Sequence, residues 1–193
     1  MAVVSDQIDY FVVGNGLPWL PEEPIASFRR AHDPTVDIVG SHLTLVFPVP
    51  VSVGRDVFRE HVHEVVSRTP PFDIRLRGLE KSWDHWLFLL VAEGREEVIA
   101  LHDALYTGIL RPYLWTERPY VPHVGLGLFV DERDADDLLE LRQRRLDPAR
   151  FEKALREARN LELDYVGRVD SVDVSGLDED LTHVTQLEEI SLG

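Results

Sequence analysis

The sequence predicts an α+β protein of two pseudo-symmetric lobes, each an antiparallel sheet with packed helices. Three observations support this fold class. The 193 residues are 44% hydrophobic, which is enough to build a sizeable buried core. Strand and helix patterns alternate along the chain, and the second half repeats the outline of the first. Because no low-complexity linker divides the chain, we expect residues 1–193 to form a single domain whose two lobes pack as one unit.

The first half contains short segments with the polarity of strands, separated by helical patterns. The predicted strands lie at residues 8–13, 42–47, 72–77 and 85–91. The predicted helices lie at residues 25–31 and 55–67, and Ser52 is a candidate cap for the second helix. The segment 72–77 alternates in polarity like a half-exposed strand, whereas 85–91 has the apolar composition of a more buried neighbour. Together these two strands indicate an antiparallel sheet.

The second half follows a similar order of elements. The predicted helices lie at residues 96–110, 135–145 and 148–160, and Pro148 is well placed in a first turn. A loop at 111–122, rich in aromatic residues and proline, leads into the next strand. The predicted strands of this half lie at residues 123–130, 163–174 and 181–190.

The charge of the chain restricts its partners. The sequence has 35 acidic and 20 basic side chains, which give a formal net charge of −15 at pH 7. This charge repels a long polyanion unless basic residues gather at a cleft, so a small nucleotide or an RNA end is an easier partner than duplex nucleic acid. Cysteine is absent, which excludes disulfides, thiolate metal sites and a cysteine nucleophile.

The sequence also indicates a soluble protein. Residues 1–9 lack the basic start of a secretory signal, and the longest apolar run, at residues 86–92, is too short to cross a bilayer. We therefore expect a cytoplasmic protein without membrane association, and we expect it to be a monomer.

Two histidines in separate apolar runs lead to the functional hypothesis. Strand residues alternate between faces, so His42 and Thr44 are expected to share one face while Leu43 and Leu45 enter the core. A second strand presents His123 in the same way. Phosphoester cleavage by general acid and general base requires two such groups, and the unperturbed pKa of histidine, near ~6.5, suits both roles.

These motifs resemble those of a known family. His-x-Thr-Leu at 42–45 and Pro-His-x-x-Leu at 122–126 are similar to the motifs of the 2H phosphoesterase superfamily, above all of bacterial 2′,5′ RNA ligase-like proteins and cyclic phosphodiesterases. Phe-Arg-Arg-Ala-His-Asp-Pro at 28–34 adds to the likeness, which spans nearly the whole chain. The resemblance implies two His-x-Thr/Ser motifs on strands of a duplicated α+β lobe, facing each other across a central cleft.

The resemblance further implies metal-independent cleavage of a 2′,3′-cyclic or 2′,5′ phosphoester of an RNA end or a small nucleotide, with no cofactor. One neutral imidazole takes a proton from water, and the other, protonated, gives a proton to the departing ribose oxygen. His42 and His123 are the candidates, in an order that the sequence does not assign. Thr44 is expected to hydrogen-bond a non-bridging phosphoryl oxygen and so stabilise its developing charge.

The second motif departs from the family pattern at Gly125, where the family has Thr or Ser, and Gly127 follows on the same face. A backbone amide could make the contact of the missing hydroxyl to the substrate. Alternatively, the bare face could let a substrate or a neighbouring element approach closely. Two interpretations stay open: an asymmetric but active site, or a nucleotide- or RNA-binding protein of the same fold with reduced or lost catalysis.

Several other residues give weaker signals. Arg118 and Tyr120 precede the second motif and are candidates for contacting a base and a phosphate, although aromatic packing between the lobes explains this loop equally well. His183 begins another His-x-Thr match, but it belongs to the expected final strand and is the weaker candidate for catalysis. His61 and His63 are two residues apart on a predicted helix and point to nearly opposite sides, so we predict no metal site.

Overall fold

A computed structural model describes residues 7–130 and 145–193, and these ranges contain eight strands and four α-helices. The strands are β1 (Tyr10–Asn15), β2 (Leu43–Pro50), β3 (Phe72–Lys81), β4 (Trp86–Glu93), β5 (His123–Leu128), β6 (Asp164–Val169), β7 (Ser171–Leu177) and β8 (Val184–Ser191). The helices are α1 (Ile25–His32), α2 (Arg55–Val66), α3 (Arg95–Leu105) and α4 (Pro148–Asn160).

The strands form two four-stranded sheets, in which every neighbouring pair is antiparallel. The first sheet has the order β2-β1-β7-β8, and the second has the order β5-β4-β3-β6. This architecture confirms the predicted α+β fold of two lobes. The strand that follows His42 and the strand that begins at His123 each lie at the edge of their own sheet.

The helix that precedes each of these two edge strands packs against the edge strand of the other sheet. Helix α1 precedes β2 in the chain but contacts β5, and helix α3 precedes β5 but contacts β2. This reciprocal packing ties the two sheets together on both sides of the edge strands. It also gives the molecule the approximate two-fold character that the repeated outline of the sequence predicts.

A continuous hydrophobic core runs through both sheets and their helices. Helix α2 contributes Phe58, Val62 and Val66 at helical spacing, and all three are fully buried. In the second sheet, alternate residues of β4 enter the same core, which explains why this segment resembles a buried strand in the sequence. Within residues 7–130 and 145–193, no helix is long and apolar enough to span a membrane.

The predicted strand at 163–174 is in fact two strands that belong to different sheets. Strand β6 pairs with β3 in the second sheet, whereas β7 pairs with β1 and β8 in the first. Asp170 separates them, and its carbonyl accepts a hydrogen bond from the amide of Leu192 at 2.8 Å. The polarity pattern is continuous across this point, so it did not reveal the change of sheet.

Two details of the predicted helices differ in the structure: the cap of α2 and the end of α3. Ser52 lies in a short 3-10 turn and does not cap α2, whose first residue follows Gly54. The predicted helix at 96–110 ends at Leu105, and a 3-10 turn begins at Gly108, where φ is +50°. Of the predicted helix at 135–145, residues 135–144 lie outside the described part of the chain. The start of α4 is confirmed: Pro148 is its first residue, and the side chain of Asp147 accepts a hydrogen bond from the amide of Arg150.

Gly127 is required for the contact between α1 and β5. A Cβ atom at this position would lie 2.6 Å from the Cβ of His32 and 2.9 Å from its carbonyl oxygen. Backbone atoms cannot move away as a flexible side chain can, so any side chain here forces the helix off the strand. One explanation offered for the two glycines of β5 was that a neighbouring element approaches the strand closely. At Gly127 that element is helix α1.

We expect Gly127→Ala to lower the free energy of unfolding by about 1–3 kcal/mol, because it overpacks this contact. Gly125→Ala is the matched control, since a Cβ at Gly125 meets only the Trp86 ring, at an ordinary 3.7 Å. Thermal and urea unfolding of both variants measure the difference. Equal stabilities would show that α1 does not rest on β5 as described.

Candidate active site

Strand alternation places the first motif as the sequence predicts. His42 directly precedes β2, and Leu43 and Leu45 are buried at 1% exposure each. Thr44 lies between them and is half-buried on the opposite face. His123 begins β5, where Val124 and Leu126 are buried in the same alternating way. Both histidines are half-buried, so each imidazole lies at the surface of a lobe and not in its core.

The two imidazoles are held by equivalent hydrogen bonds. Nδ1 of His42 bonds to the carbonyl oxygen of Gly40 at 2.8 Å, and Nδ1 of His123 bonds to that of Val121 at 2.6 Å. A carbonyl oxygen only accepts, so Nδ1 carries the proton in both rings. In the neutral ring this leaves the lone pair on Nε2, which is therefore the nitrogen able to exchange a proton with a substrate.

Burial lowers the pKa of both histidines. For His42, desolvation outweighs the hydrogen bond to Gly40, which alone would raise the pKa. For His123, desolvation is again the largest cause, and the charge of His42 adds to it, so that the pKa falls to about 4. The carboxylate of Asp84 opposes this shift more weakly. Strands β2 and β5 contact each other, which brings the two motifs together, and burial favours the neutral form of both imidazoles.

An aromatic side chain fixes the plane of the second imidazole. The ring of Phe88, on the neighbouring strand β4, stacks on His123 with centroids 3.4 Å apart and planes 19° apart. Phe88 is paired in register with Gly125, and the ring of Trp86, two residues earlier on β4, is the nearest group to the bare face of Gly125. Sequence reasoning had no signal by which to select Phe88, since it looks like one more apolar residue of a buried strand.

Tyr120 joins the two motifs directly. Its hydroxyl donates to the carbonyl oxygen of Thr44 at 2.7 Å, and its ring stacks on His102 of α3, with centroids 3.8 Å apart. Burial raises the pKa of Tyr120, which keeps the hydroxyl protonated and able to donate. Tyr120 was predicted to contact substrate, but its hydroxyl is bonded to the backbone of β2. A role of Tyr120 in binding substrate stays a prediction, and what the structure adds is a link between the lobes.

A buried ion pair supports the loop that leads to His42. Arg29 and Asp33, 3% and 5% exposed, are joined by Nε and Oδ2 at 2.7 Å. Arg29 also donates to the carbonyl oxygen of Val39 at 2.8 Å, and Asp33 accepts from the amide and hydroxyl of Thr35. Buried charges need such complete partners. Sequence reasoning noted these residues only as part of a family likeness, although the i,i+4 spacing and the Asp-Pro-Thr turn were a usable signal.

Gly125 has space beside it for a side chain, unlike Gly127. The nearest atoms to a Cβ at Gly125 belong to the ring of Trp86, at 3.7 Å. A serine or threonine therefore fits sterically at the position where the family has a hydroxyl. The missing hydroxyl is a property of this sequence and is not imposed by the packing of the strand.

Arg118 lies at the rim of the second lobe. Its guanidinium carbon is 4.8 Å from the ring centroid of Trp83, which belongs to the turn between β3 and β4. Arg118 is exposed. The structure thus associates this predicted substrate contact with an indole ring that the sequence analysis did not consider.

The other histidine candidates lie elsewhere. His183 is exposed and precedes β8, which is at the opposite edge of the first sheet from β2. His61 bonds to the carbonyl oxygen of Leu105, whereas His63 bonds to Glu188. Within the two described ranges, no group of three or more His, Cys, Asp or Glu side chains is placed to hold a metal ion.

Comparison with known sequences identifies relatives. The sequence model of the 2′-5′ RNA ligase superfamily matches residues 18–153, which include both motifs. A provisionally named phosphoesterase of Bacillus licheniformis is 28% identical over 116 residues, covering 58% of this chain and 67% of that protein.

Comparison with solved structures finds the same fold. Escherichia coli LigT complexed with 3′-AMP has a TM-score of 0.61 and 18% identity, over 96% of this chain and 99% of that chain. LigT complexed with NADP+ gives 0.62 at 18% identity, covering 96% and 98%. A protein of Thermus thermophilus gives 0.57 at 20% identity, covering 95% and 97%. The likeness therefore extends over both lobes.

Proposed function

The chain belongs to the 2′-5′ RNA ligase superfamily, which confirms its resemblance to the 2H phosphoesterases, and we propose that it is a metal-independent phosphodiesterase. Its proposed substrates are 2′,3′-cyclic or 2′,5′ phosphoesters of RNA ends or small nucleotides. The observation that carries this proposal is the matched pair of imidazoles, each with Nδ1 bonded to a carbonyl oxygen two residues earlier. This arrangement leaves Nε2 of both rings available for proton transfer at one phosphorus atom.

In the proposed hydrolysis of a 2′,3′-cyclic phosphate, Nε2 of one histidine removes a proton from water as the water oxygen bonds to phosphorus. The bond from phosphorus to one ribose oxygen breaks, and Nε2 of the other histidine gives its proton to that oxygen. The products are a ribose hydroxyl and a phosphomonoester, and the two histidines have exchanged protonation states. The hydroxyl of Thr44 donates to a non-bridging oxygen, where negative charge increases. The equivalent hydrogen bonds allow either ring to act first as base.

The setting proposed for this activity is a cytoplasmic monomer that acts on a nucleotide or on a single-stranded RNA end. The net charge of −15 opposes binding along a duplex. A single phosphodiester requires only local hydrogen-bond donors, which in this proposal are the hydroxyl of Thr44 and Nε2 of the protonated histidine.

One observation favours a second candidate function. Gly125 offers no hydroxyl to the second side of the phosphate, although a side chain would fit there. A protein that binds nucleotides or RNA ends but cleaves them slowly or not at all is therefore the alternative proposal. Turnover of a cyclic phosphate separates the two.

We expect His42→Ala and His123→Ala each to lower kcat by about 10²–10⁴-fold on a 2′,3′-cyclic nucleotide, the usual contribution of one positioned acid or base. His183→Ala is the matched control, because it removes the histidine of another His-x-Thr sequence far from β2. Assays include a chelator, and circular dichroism checks the fold of each variant. A histidine whose loss leaves kcat at the parental value has no acid or base role.

The pH dependence follows from the lowered pKa values. Turnover needs one neutral and one protonated imidazole, so kcat/KM falls at low pH as the base is protonated and at higher pH as the acid loses its proton. Burial holds both pKa values below the ordinary 6.5. We therefore expect a bell-shaped profile with its maximum on the acidic side of pH 6.5. A maximum in alkaline buffer, measured with a non-titrating substrate, would contradict this electrostatic description.

Substitution of Gly125 tests whether the second hydroxyl matters. We expect Gly125→Ser to raise kcat/KM by about ten- to a hundredfold, because a hydrogen bond to a charged group contributes ~1.5–3 kcal/mol. Gly125→Ala adds the Cβ without the hydroxyl and is the control. Equal activity of the two variants would mean that the phosphate is already fully bonded on this side. A parent protein that binds nucleotide but gains turnover only with serine would support the alternative function.

A further inference from the structure

Two tryptophans lie on the surface of the second lobe. Trp83 belongs to the turn between β3 and β4 and is 37% exposed, and Trp115 belongs to the loop before β5 and is 43% exposed. Their rings form an edge-to-face pair with centroids 5.1 Å apart. Arg118 covers one of them, with its guanidinium 4.8 Å from the Trp83 centroid. We call these three residues the indole cluster. Large aromatic rings left together in contact with solvent are typical of binding surfaces.

The indole cluster adjoins the histidine pair. The turn that carries Trp83 also carries Asp84, whose charge acts on His123. Trp86 follows Trp83 by three residues, and its ring lies beside Gly125 of the motif strand β5. The loop that carries Trp115 and Arg118 continues into Tyr120, whose hydroxyl is bonded to Thr44 at 2.7 Å. Both segments of the cluster therefore continue into residues that act on the two histidine motifs.

The chemistry of the indole cluster suits a nucleobase and a phosphate. Indole rings stack on the faces of bases without regard to sequence, and arginine adds attraction to both π-systems and phosphate oxygens. In a chain with net charge −15, an exposed guanidinium held over an indole provides a local region where an RNA end is repelled least.

We propose that Trp83, Trp115 and Arg118 bind a nucleobase and phosphate of the single-stranded RNA that leads into the reacting nucleotide. This inference rests on the proposed function and specifies its substrate as an RNA end in preference to a free cyclic mononucleotide. In an RNA that ends in a 2′,3′-cyclic phosphate, the remaining chain extends from the 5′ side of the terminal nucleotide. The cluster holds the first nucleotide on that side, while the cyclic phosphate lies between His42 and His123.

Kinetics on two matched substrates test this inference. One is a cyclic mononucleotide, and the other is a short single-stranded RNA that ends in the same nucleotide with its 2′,3′-cyclic phosphate. We expect the parent protein to have the lower KM for the RNA. Trp83→Ala and Trp115→Ala should raise that KM by roughly ten- to a hundredfold, the effect of losing one base stack, with little change in kcat. Tyr113→Ala, an exposed aromatic residue of the same loop, is the control and should leave KM at the parental value.

A binding measurement makes the outcome independent of turnover. The His123→Ala variant is titrated with the same RNA and with an RNA duplex, and tryptophan fluorescence reports occupancy of the cluster. We expect the single strand to quench the fluorescence, with weaker binding after Trp83→Ala or Trp115→Ala, and we expect the duplex to bind much less.

The two proposals fail in different ways. Turnover of both substrates with equal KM, unchanged by Trp83→Ala and Trp115→Ala, would overturn the inference and leave the proposed function intact. Absence of turnover, together with RNA binding that depends on Trp83 and Trp115, would overturn the proposed activity and support the cluster as an RNA site. Binding of duplex as tightly as single strand, or no binding of RNA at all, would overturn the cluster as an RNA-end site and leave a different partner for this surface.

Discussion

The hydrogen bond from Tyr120 to the carbonyl oxygen of Thr44 sets the relation between the two motifs. Strands β2 and β5 are sheet edges, and an edge strand has unpaired backbone groups that need partners. Two tyrosine hydroxyls are partners for backbone groups of β2. Tyr120 donates to the carbonyl oxygen of Thr44, and Tyr106, which follows α3, accepts a hydrogen bond from the amide of Phe47 at 2.9 Å. Strands β2 and β5 belong to different sheets and form no ladder with each other. The two tyrosine hydroxyls are therefore hydrogen-bond partners of β2 that come from outside its own sheet.

The two halves of the site are alike in how they hold histidine and different in what lies beside it. Both imidazoles are fixed through Nδ1 by a carbonyl oxygen two residues earlier. On the first side, Thr44 and the buried Arg29–Asp33 pair provide polar surroundings. On the second side, the surroundings are aromatic: Phe88 stacks on His123 and Trp86 lies beside Gly125. The two motifs therefore differ in their neighbours as well as in their sequence: those of His42 are polar, and those of His123 are aromatic.

Much of the fold could be predicted because it is local. The period-two alternation of β2 and β5 assigns the faces of His42, Thr44 and His123, and it survives in the structure since one face must enter the core. Contacts between distant segments were not predictable in this way. The change of sheet at Asp170 and the bond from Tyr120 to β2 depend on how the two lobes pack together. The polarity pattern of a single segment carries no information about that packing. Trp83 and Phe88 were missed for the same reason, since each becomes part of the site only through a partner far along the chain.

Packing around the two histidines affects their chemistry, because burial lowers the pKa of both imidazoles. Without substrate, burial favours the neutral state of both rings, and the charge of His42 adds to this at His123. A phosphodiester anion that binds between the rings reverses this balance, because an opposite charge within about 4–6 Å raises the pKa of an imidazole by ~1–3. In the proposed reaction, the bound phosphodiester thereby favours the protonated ring that gives its proton to the departing ribose oxygen. An uncharged molecule at the same position would not raise these pKa values, so the proposed preference for phosphodiesters includes a contribution from the protonation of the site.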